Sequence, residues 1–256
     1  MVIPLKSVSL NCFERNAAPS GSCSFFQHHP GMAVMLEDSL SKSCGSKTDS
    51  YVVILANGTF PSTQNARSFF YRAARLICCD GAVEKACENG REPDYIVGDC
   101  DSIPSEFAER FRDRLIRVSE QNTNDLAKAF RFCVAKNWRN IVILGATGAR
   151  EDHAIANVSY LVDFSLQADS VDMVTDEGVF RAIRRPCWID STPGQQISIF
   201  SMDPRQKITS EGLKYPLNKL CLSRWYEATL NESLASRFYL EFDGSTPLIL
   251  FLVNAN

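Results

Sequence analysis

Two carboxylates one residue apart, Asp99 and Asp101, follow directly on a short apolar run, Tyr95-Ile96-Val97-Gly98. If the backbone stays extended past such a strand, side chains at i and i+2 project to the same side. Carboxylates held that close repel one another and raise each other's pKa unless a cation lies between them. Mg²⁺ suits the pair where phosphates are the substrate, because it takes oxygen ligands from one or two carboxylates and from phosphate. The stretch Asp99-Cys100-Asp101-Ser102 equally suits a turn, with a capping Asp and Ser ahead of Pro104. This motif alone leaves both readings open.

Three more segments shift the balance. Arg75-Leu76-Ile77-Cys78-Cys79 ends in Asp80-Gly81, and Asn140-Ile141-Val142-Ile143-Leu144 ends in Gly145-Ala146-Thr147-Gly148-Ala149-Arg150-Glu151-Asp152-His153. Between them, Gln121-Asn122-Thr123-Asn124-Asp125 opens an amphipathic segment that continues through Lys128. Polar and acidic residues thus gather at the carboxyl ends of several strands, where open α/β sheets bind ligands.

Those residues resemble the thiamin pyrophosphokinase family, whose pattern runs D-G-G/A, P-D-x-I-x-G-D-x-D-S, Q-x-x-T-D-x-x-K and G-x-x-G-x-R-x-D-H-x-x-x-N. Here the same order appears as Asp80-Gly81-Ala82, Pro93 through Ser102, Gln121 with Asp125 and Lys128, and Gly145 through Asn157. Gly212-Leu213-Lys214-Tyr215-Pro216-Leu217 with Asn231-Glu232 resembles the family's C-terminal part. The chain departs from the pattern at Asn124 (usually Thr), at Ala149 (usually Gly) and at Thr229-Leu230 (often Ile/Val-Ser).

The elements that must position these groups fall into three stretches. Residues 1–50 are rich in Ser, Cys and Asn, show no sustained period, and read as a disordered extension. From 51 to 175, short apolar strands (51–56, 75–79, 95–97, 115–118, 141–144, 171–174) alternate with helices (65–74, 82–89, 124–137, 152–164). Strands too apolar to alternate are expected of a parallel sheet covered on both faces. In the third helix Leu126, Ala129, Phe130, Cys133 and Val134 keep helical spacing, with Thr123 or Asn122 as cap. From 176 to 256 the texture changes to short strands (196–200, 220–222, 237–242, 248–253) separated by Gly- and Pro-containing turns, an all-β pattern. The fold class expected is α/β plus all-β. The resemblance implies a parallel-sheet catalytic domain followed by a smaller β-sandwich domain that binds thiamin.

Composition is that of a globular chain long enough to bury a core: 256 residues, 45% hydrophobic and 22% charged. A net charge of −3 without a basic run speaks against nucleic-acid binding. No apolar run approaches a membrane span. The ten cysteines include no C-x-x-C pair and several sit in apolar patterns, so they read as small hydrophobes in a reducing cytoplasm rather than as a disulfide framework.

Each candidate residue also has a plainer reading. Asp80-Gly81 is a common turn pair, and Asp125 in a first helical turn suits the helix dipole with Lys128 as a surface partner. Gly145-x-x-Gly148 lacks the Lys-Ser/Thr of a Walker A loop, yet its amides can approach a phosphate before a helix, and Arg150 offers a phosphate-shaped fork. Arg150, His153 and Asn157 share a helix face. Asp152 reads as a substrate or metal contact, with His153 positioning the loop rather than acting as a base. Asn231 and Glu232 carry no period that marks them, and Trp225 reads as a packed residue.

The resemblance implies transfer of pyrophosphate from ATP to the hydroxyl of thiamin, giving thiamin diphosphate and AMP. It implies Mg²⁺ held by Asp80, Asp99, Asp101 and Asp125, and ATP phosphates met by Gln121, Asp125, Lys128, Gly145, Gly148 and Arg150. Asn231 and Glu232 would meet thiamin, and the assembly would be a homodimer whose sites are shared between subunits. Catalysis falls to Asp99, Asp101 and Asp152, with Asp99 or Asp152 taking the hydroxyl proton. Two alternatives stand beside this: a metal-dependent phosphoesterase using the same carboxylates, and a non-catalytic nucleotide- or thiamin-binding regulator.

Overall fold

The computed structural model describes residues 50–244 and 246–254, so the reading of residues 1–50 as a disordered extension lies, all but its last residue, outside the described residues. The first half alternates β1 (Val52–Leu55), α1 (Gln64–Arg72), β2 (Arg75–Cys79), α2 (Ala82–Glu88), β3 (Tyr95–Gly98) and α3 (Ser105–Arg110). A 3₁₀ turn at Arg112–Arg114 leads into β4 (Leu115–Arg117), α4 (Asp125–Ala135), β5 (Asn140–Leu144), α5 (Glu151–Ser165) and β6 (Ser170–Val174). These six strands are parallel, in the order β6-β5-β1-β2-β3-β4.

Strand composition explains the layering. Every residue of β1 is buried: Val52 and Ile54 face one core with Leu126, Phe130, Leu161 and Phe164, from α4 and α5. Val53 and Leu55 face the opposite core with Ala66, Phe70, Val83 and Ala86, from α1 and α2. Buried Cys78, Cys79 and Cys133 pack within these cores as small apolar residues. The chain leaves β1 toward β2 on one side and returns to β5 on the other. The crevice between β1 and β5 is therefore the topological switch point, where α/β sheets bind ligands.

The second half adds β7 (Gly178–Ile183), β8 (Cys187–Asp190), β9 (Gln196–Ser201), β10 (Lys207–Glu211), β11 (Leu220–Cys221), β12 (Asn231–Glu232), β13 (Arg237–Phe242) and β14 (Leu248–Val253). It forms a β-sandwich, one layer of which extends the first sheet. β7 pairs antiparallel with β6, and β14, β9 and β12 follow, so ten strands run in one sheet ordered β12-β9-β14-β7-β6-β5-β1-β2-β3-β4. The other layer is a four-stranded sheet, β11-β10-β13-β8. Between the layers, Ile197, Ile199, Leu248, Leu250 and Leu252 meet Ile189, Ile208, Phe238, Leu240 and Phe242.

The expected helices all form, within a residue or two at each end. The cap of α4 differs: Asn124, not Thr123 or Asn122, accepts from the Ala127 N–H at 3.1 Å. Among the described residues, no helix is long and apolar enough to cross a membrane.

Candidate functional site

The carboxyl ends of β2 and β3 deliver Asp80 and Asp99, and the first turn of α4 delivers Asp125. One carboxylate oxygen from each lies within 4.8 Å of the others. Asp80 is buried at 2% exposure, and its Oδ2 has no hydrogen-bond partner. Its Oδ1 accepts from the Cys100 N–H at 3.3 Å. Burial, then the Asp125 charge and the contact with Asp99, push the Asp80 carboxyl up to about 6. Asp99 moves the opposite way, held down first by the Asp101 N–H and then by hydrogen bonds with Asp80 and Gln121.

Asp101 stands outside this cluster. The expectation of two side chains on one side required an extended backbone, whereas Cys100 between them adopts φ 67°. The turn makes Asp101 an N–H donor to Asp99 Oδ1 at 3.2 Å and leaves its side chain exposed. Of the four carboxylates expected to share a cation, Asp80, Asp99 and Asp125 come together and Asp101 does not.

Lys128 is not a surface partner but a buried one. Its ammonium lies 2.9 Å from Asp125 Oδ1 and 3.9 Å from Asp99 Oδ2. Burial opposes its charge, but these carboxylates outweigh that and raise its pKa. Gln121 donates to Asp99 Oδ2 at 3.2 Å and completes the polar rim.

Across the switch point, two loops interlock. Gly58 N donates to Gly145 O at 2.6 Å, Thr59 N to Thr147 O at 2.9 Å, and Thr59 Oγ1 to Gly148 O at 2.6 Å. Asn157 Nδ2 donates to Ala146 O at 2.8 Å, so all four carbonyls from Gly145 to Gly148 are held by protein donors. In a trans peptide the following N–H points opposite the carbonyl. The N–H groups of Ala146, Thr147, Gly148 and Ala149 therefore face away from these donors, and none meets an acceptor among the described residues. Unengaged backbone amides just ahead of a helix start are groups that can take an anion. Glycine is needed where the loops touch, since a Cβ on Gly58 would collide with the Gly145 and Thr147 carbonyls. Lys85 braces the first loop, donating to Asn57 O, Asn57 Oδ1 and Gly58 O at 2.7–2.9 Å.

Arg150 stands at the N-cap position of α5 without a side-chain capping bond and forks onto Asp152 at 2.6 and 3.1 Å, both side chains largely exposed. That guanidinium, with the His153 N–H, draws the Asp152 carboxyl down to about 2. His153 is exposed.

Asn231 and Glu232 form β12, at the far edge of the ten-stranded sheet. Seven inter-strand steps of about 4.8 Å separate β12 from β2, so within one chain they stand roughly 30 Å from the acidic cluster. The Asn231 amide is engaged by backbone: Nδ2 donates to Tyr215 O at 2.7 Å, and Oδ1 accepts from Tyr215 N and Glu232 N. Glu232 pairs with Lys214 at 2.9 Å.

Three features escaped the sequence reading. Thr59 and Gly58 follow an apolar strand just as the other polar clusters do, and that placement was the available signal. Asn157 is buried, which its helix-face spacing did not reveal. The third is an apolar cleft of about 270 Å³ between α5 and the sheet, lined by Ala154, Ile155, Val158, Phe180, Phe200 and Trp225 among others, with Thr147 at its rim.

Comparison with known proteins bears on this arrangement. The family model described as thiamin pyrophosphokinase, catalytic domain, matches residues 66–175, and that described as thiamin pyrophosphokinase, substrate-binding domain, matches 178–251. Thiamin pyrophosphokinase 1 of Caenorhabditis elegans is 25% identical over 231 residues, covering 84% of this chain and 93% of that protein. The crystal structure of thiamin pyrophosphokinase from Geobacillus thermodenitrificans superposes with a TM-score of 0.65 at 22% identity, covering 80% of this chain and 98% of that one. The Candida albicans thiamin pyrophosphokinase gives 0.65 at 17%, covering 82% and 95%. At those identities the two structures speak for the fold. Both models of a single family match in sequence order across more than two thirds of the residues, and the chain belongs to the thiamin pyrophosphokinase family.

Proposed function

We propose that this chain is a Mg²⁺-dependent thiamin pyrophosphokinase that transfers the pyrophosphoryl group of ATP to the hydroxyl of thiamin, releasing AMP. The observation that carries the reading is the orphaned, buried Asp80 Oδ2 beside Asp99 and Asp125, in a sheet whose β5 loop leaves the amides of Ala146–Ala149 unengaged. Three carboxylates and no nitrogen or sulfur ligand make a donor set for a hard cation. Bound Mg²⁺ would offset charge on the phosphate oxygens. The chain's own residues do the positioning that phosphoryl transfer chiefly requires.

Asp80, Asp99 and Asp125 would hold the cation, and the Asp101 N–H would help fix the Asp99 carboxylate for it. Lys128 offsets part of the cluster's charge, and Gln121 orients Asp99. The amides of Ala146, Thr147, Gly148 and Ala149 would take phosphate oxygens, with Arg150 swinging from Asp152 onto the chain's outer phosphate. Released from Arg150, Asp152 becomes a better proton acceptor for the thiamin hydroxyl; Asp99 is the other candidate. The apolar cleft with Trp225 suits an aromatic, cationic acceptor next to Thr147.

Asn231 and Glu232 stand too far from the acidic cluster to serve it within one chain, which favours a two-fold homodimer whose sites draw on both subunits. We place the enzyme in the cytoplasm, in keeping with the free, buried Cys78, Cys79 and Cys133. Incubation with ATP, Mg²⁺ and thiamin tests the reading: AMP forms only when thiamin is present. Phosphate released without thiamin would mark a phosphoesterase, and no turnover would mark a regulator.

A further inference from the structure

The carbonyl of Ala146 is held by a different kind of donor from its neighbours. Gly58 and Thr59, on the β1 loop, hold Gly145, Thr147 and Gly148, whereas Ala146 is held by the side chain of buried Asn157 on α5. Asn157 Oδ1 in turn accepts from Asn124 Nδ2 at 2.8 Å, and Asn124 Oδ1 caps α4 by accepting from Ala127 N–H.

The direction of this chain of bonds follows from donor and acceptor types alone. A backbone N–H only donates, so the Asn124 atom facing Ala127 is the oxygen and its NH₂ faces Asn157. The Asn157 atom receiving it is then the oxygen, which leaves the Asn157 NH₂ against Ala146 O. Neither amide can flip without setting donor against donor. The Ala146–Thr147 peptide cannot flip either, because its N–H would then confront the Asn157 NH₂ in a buried place, leaving both unsatisfied.

We propose that Asn124 and Asn157 form a one-way amide relay that fixes the Ala146–Thr147 peptide with its N–H turned outward, presenting the Thr147 amide to the phosphate chain. They are positioning residues, acting through that peptide. The relay also couples the two parts of the site, because Asn124 immediately precedes Asp125 and lies one turn from Lys128 on α4. Loop and cation cluster are thereby held in one register. Asn124 stands where the family pattern has Thr. A Thr hydroxyl can accept from the cap N–H and donate onward through one atom, whereas Asn divides the two tasks between its oxygen and its NH₂.

The proposal rests on the ATP reading, and its test separates the two. Both substitutions are neutral, so no new charge repels the nucleotide. Asn157→Leu keeps the volume and abolishes both bonds; Asn124→Gly preserves a serviceable helix start and removes the donor to Asn157. For Asn157→Leu the KM for ATP should rise on the order of tenfold, the loss of one hydrogen bond to a charged ligand, while the KM for thiamin stays within about twofold. Asn124→Gly should raise the ATP KM several-fold, and the double variant should be no worse than Asn157→Leu, because serial links are not additive. If Asn157→Leu does not fold, Asn124→Gly decides alone. An unchanged ATP KM in a folded variant, an equal rise for both substrates, or additive effects overturns the relay. Calorimetry of the wild-type chain with ATP and Mg²⁺ completes the test. No binding there removes the nucleotide reading and the relay with it, whereas binding that the variants retain in full removes the relay alone.

Discussion

Gly98 lies flat against the Asp80 carboxylate: any Cβ at residue 98 would occupy the space of Asp80 Oδ1. The last residue of one strand is thus glycine because the residue after the neighbouring strand is a buried acid. Asp80 itself sits at φ 28°, a conformation that side-chain-bearing residues adopt at a cost. Crowding by a methyl group would push the carboxylate off the cluster. Gly98→Ala should lose about 1–3 kcal/mol of stability by overpacking, and most of its Mg²⁺-dependent turnover. Denaturant melts and AMP formation check both, and a variant with wild-type turnover would remove Asp80 from the cation site.

Lys128 and a divalent cation bound at the cluster would answer the same carboxylates and so substitute for one another electrostatically. Lys128→Met should cost the metal-free protein about 1–3 kcal/mol, because Asp125 and Asp99 lose their counter-charge. Added Mg²⁺ should then raise the variant's Tm by more than it raises that of the wild type. Equal Mg²⁺-induced shifts in the two proteins would show that the ammonium and the cation act independently.

Asp176 ties the β6–β7 turn to the start of α1. It accepts from the N–H and hydroxyl groups of both Ser62 and Thr63 at 2.7–3.0 Å. Burial pushes its carboxyl up, but these bonds outweigh it and bring it down to about 2. A carboxyl lowered on folding stabilises above its unfolded value and loses that contribution as pH falls through its folded value. The wild type should therefore shed about 1 kcal/mol between roughly pH 4 and pH 2 from this group, after discounting for its partial exposure. Asp176→Asn should be less stable at pH 7 and show a flatter acid limb. Urea titrations across that range give the comparison, and parallel acid limbs would rule the account out.

Sites shared between subunits make a prediction that no single-chain site can meet. Asp99→Ala should disable the α/β half, and Glu232→Ala should impair the β half without touching the Asn231 clasp on Tyr215. In a mixed dimer one site carries both lesions and the other carries neither. Co-refolding the two variants should restore activity above either parent. Subunit exchange without rescue would place each site within one chain.

The sequence disclosed the parts of this site that depend on strand ends and left hidden those that depend on burial across the fold. Asp80, Asp99 and Gly145 each follow an apolar run, so their convergence at one edge of a parallel sheet could be read directly. The left-handed turn at Cys100 could not, since nothing in Asp-Cys-Asp marks which carboxylate will face inward. Lys128 resembles an ordinary i+3 surface partner of Asp125 until α4 packs beneath the sheet and encloses it. The strands β7 and β8 went unread because Gly178–Ile183 and Cys187–Asp190 carry Arg181 and Asp190 among their apolar residues. The sandwich was legible as texture, but the pairing of β7 onto β6 is a long-range fact that no local pattern encodes.

That pairing has a consequence for how the molecule can be divided. Asp172, Met173 and Val174 hydrogen-bond in register with Arg181, Phe180 and Val179, and Arg181 forks onto Asp172 at 2.5 and 2.7 Å across the seam. A chain severed between Thr175 and Gly178 would expose two raw strand edges and strand a guanidinium without its carboxylate. Each piece would then offer a template for edge-to-edge association instead of a finished surface. The family's two named segments are thus inseparable as folding units: recombining either with a foreign partner must reproduce the β6–β7 ladder and its ion pair, or yield aggregate.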